Sequence, residues 1–133
     1  MFFAPRILHY LGAKLVRIPE GVNDPESEDE FMQVDYDSDI RYTWTQFIEA
    51  REIVKQTYGI NLLRRHRNKL LSETDWLMTI DNTERIKNIQ EWKIYRQALR
   101  DLPGNPPAFV WKGDTLDFAN MNLPSKPSIQ EHS

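Results

Sequence analysis

An apolar stripe that runs into a wall of proline constrains this chain more than any other feature. Ile86, Ile89, Trp92, Tyr95, Leu99 and Leu102 recur at helical steps, whereas Glu84, Lys87, Glu91, Arg100 and Asp101 fall largely elsewhere. The spacing predicts a helix over 83–102 with one buried face. Asn82 and Thr83 are placed to cap it, Glu84 sits near the positive end of its dipole, and the DLPGNPP run denies it any continuation. Upstream, Leu62, Leu63, Leu70 and Leu71 give a shorter helix over 62–72, closed by the Thr74-Asp75-Trp76 sequence. Two helices joined by so short a connection return antiparallel, with Trp76, Leu77 and Ile80 packed into the open end of the pair. The expected core is therefore Trp76, Ile89, Trp92, Tyr95 and Leu99.

A third helix is predicted over 44–58, where Trp44, Phe47, Ile48, Val54 and Tyr58 form an apolar face. Thr43 is its N-cap, Gly59 its C-cap, and Asn61 the cap of the next helix. The N-terminal residues 1–18 are apolar with Arg6, Lys14 and Arg17 spaced among them, and their period leaves both a helix and a hairpin open. The reading favoured is a short helix or turn followed by a strand over 14–18. Residues 19–40 hold nine acidic side chains and no Lys or Arg, a self-repelling block that predicts an exposed loop over 19–30 and a short strand over 31–36.

The fold class expected is mainly α: a small three-helix domain with a short β or irregular N-terminal segment and an extended Pro-rich C-terminal arm. In organisation, 1–60 is an N-terminal segment with the acidic loop and first helix, 61–103 the helical hairpin module, and 104–133 the arm. That arm carries Phe109, Val110, Trp111, Leu116, Phe118 and Met121, with an edge strand expected over 109–111. The arm is too apolar for a linker and should either wrap its own domain or lie in a groove on a partner; Pro103, Pro106 and Pro107 are read as detaching these side chains from the helices, which favours the second and makes Phe109, Trp111, Leu116, Phe118 and Met121 the expected partner-binding residues.

Chemistry has little to stand on. With no Cys in 133 residues, disulfides and thiolate metal sites are excluded. His9, His66 and His132 lack metal-binding spacing, no Ser lies in a GxSxG frame, and the five glycines form neither a dinucleotide fingerprint nor a phosphate loop. The Asp35-Tyr36-Asp37-Ser38-Asp39 sequence tempts a calcium reading, but counting from Asp35 the obligatory Gly and Glu positions hold Ile40 and Gln46. No catalytic residue, cofactor or metal is expected, and the chain is not read as an enzyme. The opening apolar run is broken by Arg6, so neither a signal peptide nor a spanning helix is expected. Arg64, Arg65, Arg67 and Lys69 crowd onto one helix, a pattern that suits phosphates, a solvated face or an ion-pair surface alike. The formal charge of -3 favours the last two, so nucleic acid is not expected as a partner; neither is a membrane, since residues 1–18 have too little cationic charge and apolar length for an anchor.

Taken jointly, RNKLLSETDW, a spacer containing Asp81, EWKIYRQALRDLP and the closing NLPSKP resemble the bacteriophage tail assembly chaperone family, over residues 64–127. The matching positions are Arg67, Asn68, Thr74, Asp75, Trp76, Trp92, Tyr95, Arg96, Gln97, Leu99, Arg100 and Asp101. Among them, Arg67 with Asp75 or Arg96 with Asp101 are candidate ion pairs to hold the elbow. The resemblance implies a phage tail or tail-fibre assembly chaperone that binds a tail structural protein in the host cytoplasm. The alternative is a non-catalytic structural component retained in the virion tail, baseplate or a junction. Either way the implied partner is a phage tail, baseplate or tail-fibre protein, with homo-oligomerisation left open. Residues 1–60 lie outside the resemblance.

Overall fold

A computed structural model describes residues 3–132. The chain is mainly α-helical and divides into two compact units whose boundary falls between Tyr58 and Gly59.

In the first unit, helix α1 (Ala4–Leu11) buries Ala4, Ile7 and Leu8. It has no capping side chain of its own, and Asp24 supplies one from the following loop: its carboxylate accepts from the Phe3 and Ala4 amides at 2.9 Å. Gly12, at φ 93°, ends the helix in the left-handed conformation. Strand β1 (Lys14–Arg17) pairs antiparallel with β2 (Asp35–Asp37), Leu15 opposite Tyr36 and Arg17 opposite Asp35, so the predicted strand over 14–18 forms. The acidic block departs from expectation. Ser27 accepts from the Glu30 amide and opens a short helix α2 (Glu28–Met32), whose first turn holds three carboxylates at the positive dipole end. Phe31 is thereby turned into an aromatic cluster with Tyr36, Trp44 and Phe47, and the predicted strand over 31–36 is reduced to β2.

Helix α3 (Trp44–Thr74) starts as predicted. Thr43 Oγ1 accepts from the Gln46 amide, and Gln46 Oε1 accepts from that of Thr43, a reciprocal capping box. The helix does not stop at Gly59, however, and the two helices expected over 44–58 and 62–72 are one. A glycine terminates a helix by taking positive φ, which among the described glycines only Gly12, Gly21 and Gly113 do. Gly59 answers a different demand: the Phe109 ring lies so close that a Cβ at this position would meet it at 2.5 Å.

The second unit continues with a 3-10 turn (Asp75–Met78), α4 (Ile80–Arg85) and α5 (Ile89–Asp101). The single helix predicted over 83–102 is thus split. Ile86 takes extended dihedrals and forms a β-bridge with Glu131, a partner that local periodicity cannot reveal. Helix α5 ends at the predicted place, followed by a 3-10 turn (Leu102–Gly104). The remaining chain makes a small hairpin, β3 (Trp111–Lys112) with β4 (Thr115–Leu116), and a last 3-10 turn (Phe118–Asn120). Leu63, Leu77, Ile86, Trp92, Tyr95, Leu99, Leu102, Leu116 and Met121 form the core. The arm therefore does not stand free of the helices but lies along its own unit, and burying Leu116 and Met121 there covers part of the apolar surface that was assigned to another protein.

Candidate functional site

The elbow between α3 and α5 is where the family-like residues converge. Arg96 is only 6% exposed. Its Nη1 donates to the Leu71 carbonyl at 2.8 Å and to Thr74 Oγ1 at 2.6 Å, while Nη2 lies 2.6 Å from Asp75 Oδ1. One guanidinium thus ties α5 to the last turn of α3, where cationic charge is favoured by the dipole. The pairs expected from sequence are not the ones made. Arg67 donates to Asn68, Asp101 accepts from Gln97, and Arg96 takes Asp75, because the apolar stripe of α5 turns Arg96 inward.

Of the predicted core, Trp92, Tyr95 and Leu99 are buried and Ile89 is half-buried. Trp76 is 44% exposed. It is nonetheless fixed: its indole Nε1 donates to the Glu73 carbonyl, and its own carbonyl accepts from Asn82 Nδ2 at 2.7 Å. Ile80 and Ile94 are also exposed on this unit.

The five residues expected to bind a partner separate into two groups. Leu116 and Met121 are buried in the unit's own core. Phe109, Trp111 and Phe118 are half-buried, with Phe109 and Trp111 edge to face and Phe118 stacked on His66 at 3.9 Å between ring centres. Burial lowers the His66 pKa, Lys69 lowers it further, and Glu73 partly opposes them. Burial also raises that of Tyr95, with Glu73 adding to the effect.

The basic run is a solvated helix face: Arg64, Arg65 and Lys69 are exposed, and Lys69 approaches Glu73 one turn on. Among the described residues no three His, Cys, Asp or Glu side chains converge to hold a metal ion, and no helix is long and apolar enough to cross a membrane. Sequence reasoning missed the part played by Asn88, which is 8% exposed and holds residues 128–130 through its side-chain amide. Its place inside an apparent helix hid it, and an asparagine on that stripe was the available signal.

Residues 60–114 match the model of a protein family described as phage tail assembly chaperone protein. The match holds the whole elbow, from α3 through Arg96, and ends before NLPSKP. No curated protein and no solved structure matches the chain.

Proposed function

We propose that this chain, which carries the phage tail assembly chaperone module over residues 60–114, acts in the host cytoplasm as a chaperone that binds a structural protein of the phage tail or tail fibre during assembly. The family match carries this reading. The geometry supports a scaffold role for the module's shared residues: Arg96, Thr74 and Asp75 are spent on holding the elbow, and next to Asp75 an exposed tryptophan is fixed by the Glu73 carbonyl and Asn82. A rigid, partly exposed aromatic side chain suits partner contact, because little conformational freedom is lost on binding. Phe109, Trp111 and Phe118 are assigned to the same contact through their exposed edges, whereas Leu116 and Met121 contribute through the core beneath them.

Quantitative mass spectrometry of infected-cell lysate and of purified mature particles tests the proposal. A chaperone is recovered from lysate in complex with a tail protein and is absent from particles. Recovery at fixed stoichiometry in particles would replace it with a virion component.

A further inference from the structure

The break between α4 and α5 is a slot that reads extended backbone. Along it, residues 128–132 run antiparallel to Ile86, with Glu131 opposite. The Lys87 amide donates to the Gln130 carbonyl at 2.6 Å, and the His132 amide donates to that of Arg85 at 3.2 Å. Asn88 completes the grip: Nδ2 donates to the Ser128 carbonyl at 2.7 Å, and Oδ1 accepts from the Gln130 amide at 3.0 Å. These contacts all reach main-chain atoms of the strap. Side-chain recognition enters at Arg85, whose guanidinium pairs with Glu131.

The two sides of this contact are unequal. Ile86 and Asn88 are buried, whereas the strap lies in water, with Ile129 45% exposed and its neighbours exposed as well. The strap therefore contributes little apolar burial and is held by hydrogen bonds and an exposed ion pair, each of small net value. An empty slot is another matter, because it would remove the partners of the buried Asn88 Oδ1 and of the Lys87 N–H, leaving Asn88 Nδ2 with Glu91 alone. Departure of the strap is thus unfavourable alone and nearly neutral when another extended segment takes its place, as in other strand-addition contacts. Charge sets the preference. Glu91, bonded to Asn88 Nδ2 at 3.0 Å, lies toward the Ser128 end of the slot, and Arg85 and Lys87 lie toward residues 130–132; Lys87 is exposed and forms no ion pair among the described residues, while the strap supplies the carboxylate of Glu131 alone.

We propose that the edge formed by residues 85–88 docks an extended, acidic segment of another protein, and that the chain's own residues 128–132 keep the slot filled until that segment displaces them. That the segment belongs to a tail structural protein rests on the chaperone reading; the slot itself does not.

The probe is a fluorescein-labelled peptide copying residues 127–132 with Gln130→Glu and His132→Glu, followed by anisotropy against the full chain. The acidic peptide should bind, and about ten-fold more tightly to the Glu131→Lys chain, whose strap is weakened. A peptide with Gln130→Lys and His132→Lys should bind about ten-fold more weakly than the acidic one, as should the acidic peptide to a chain carrying Lys87→Glu, an exposed change that leaves the core alone. Equal binding of acidic and basic peptides, or none to the Glu131→Lys chain, would overturn the proposal. So would a peptide-independent dimer, which would mean that copies exchange their straps. Because the probe is a peptide, its failure leaves the chaperone reading standing, and failure to recover a tail protein from lysate leaves the slot standing.

Discussion

Arg96 reaches Asp75 across the elbow at 2.6 Å, yet the ion pair is the lesser part of what Arg96 does. Asp75 is largely exposed, whereas Arg96 Nη1 adds a charged donor to the Leu71 carbonyl and the Thr74 hydroxyl, which also bond each other, in a part-buried to buried setting. Arg96→Ala should cost about 2 to 3 kcal/mol, the range for losing part-buried hydrogen bonds from a charged donor. Asp75→Ala should cost less than about 1 kcal/mol, as an exposed partner does. Arg96→Lys restores only part of the loss, since an ammonium lacks the planar fork that meets three acceptors. Urea unfolding of the three variants provides the check, and equal losses from Arg96→Ala and Asp75→Ala would put the stabilisation in the ion pair instead.

The two tryptophans of the module should part company. Trp92 is 1% exposed, and Trp92→Ala should destabilise by about 3 to 5 kcal/mol. Trp92→Phe should cost much less, because the indole N–H finds no protein acceptor among the described residues. Trp76→Ala should stay within about 1 kcal/mol while reducing capture of the tail protein proposed as the partner. A large loss of stability from Trp76→Ala would return that residue to the core.

That contrast marks how far the sequence could be read. Trp92, Tyr95 and Leu99 were legible because α5 keeps a helical period throughout their span. Trp76 lies in a 3-10 turn, where extrapolating that period puts a side chain on the wrong face. Asp24, Ile86 and Asn88 share another cause: each is defined by a partner twenty or more residues away, and no local pattern encodes such pairs. The mainly α class and the α5 terminus at the proline wall were accessible, as was the N-cap at Thr43. The Arg96 network was half visible, its members named but wrongly paired, because choosing among carboxylates requires knowing which face of α5 is buried.

Gly59 offers a test with an unusual sign. Glycine to alanine inside a helix ordinarily gains about 0.5 to 1 kcal/mol. Here the new methyl group would press on the edge of the Phe109 ring, so Gly59→Ala should instead destabilise. Adding Phe109→Ala removes the obstruction. A double-mutant cycle should then show Gly59→Ala becoming favourable in the Phe109→Ala background; an unchanged effect would mean that the ring yields freely.

Burial of His66, whose ring stacks on Phe118, should make stability depend on pH. The folded state holds the His66 pKa below its ordinary value of 6.5, so on acidification the unfolded chain takes up the proton first. The contribution is complete above that ordinary value and declines as pH falls through the lower, folded one. His66→Phe keeps a ring against Phe118 and removes the titration, so the difference between wild type and variant should change between about pH 7.5 and 5. Parallel profiles over that interval would show that His66 titrates alike in both states.

The irregular chain beyond Pro103 has a consequence in time. Leu116 and Met121 join a core that includes Leu63 on α3 and Trp92, Tyr95 and Leu99 on α5, and closing the chain back onto them is entropically slow compared with winding those helices. Their packing should therefore be absent from the folding transition state. Leu116→Ala would then leave the folding rate nearly unchanged and accelerate unfolding, a division that stopped-flow chevrons resolve directly. On that division the segment acts as a latch, set last and released first, and how long the module stays folded is decided by its least regular part.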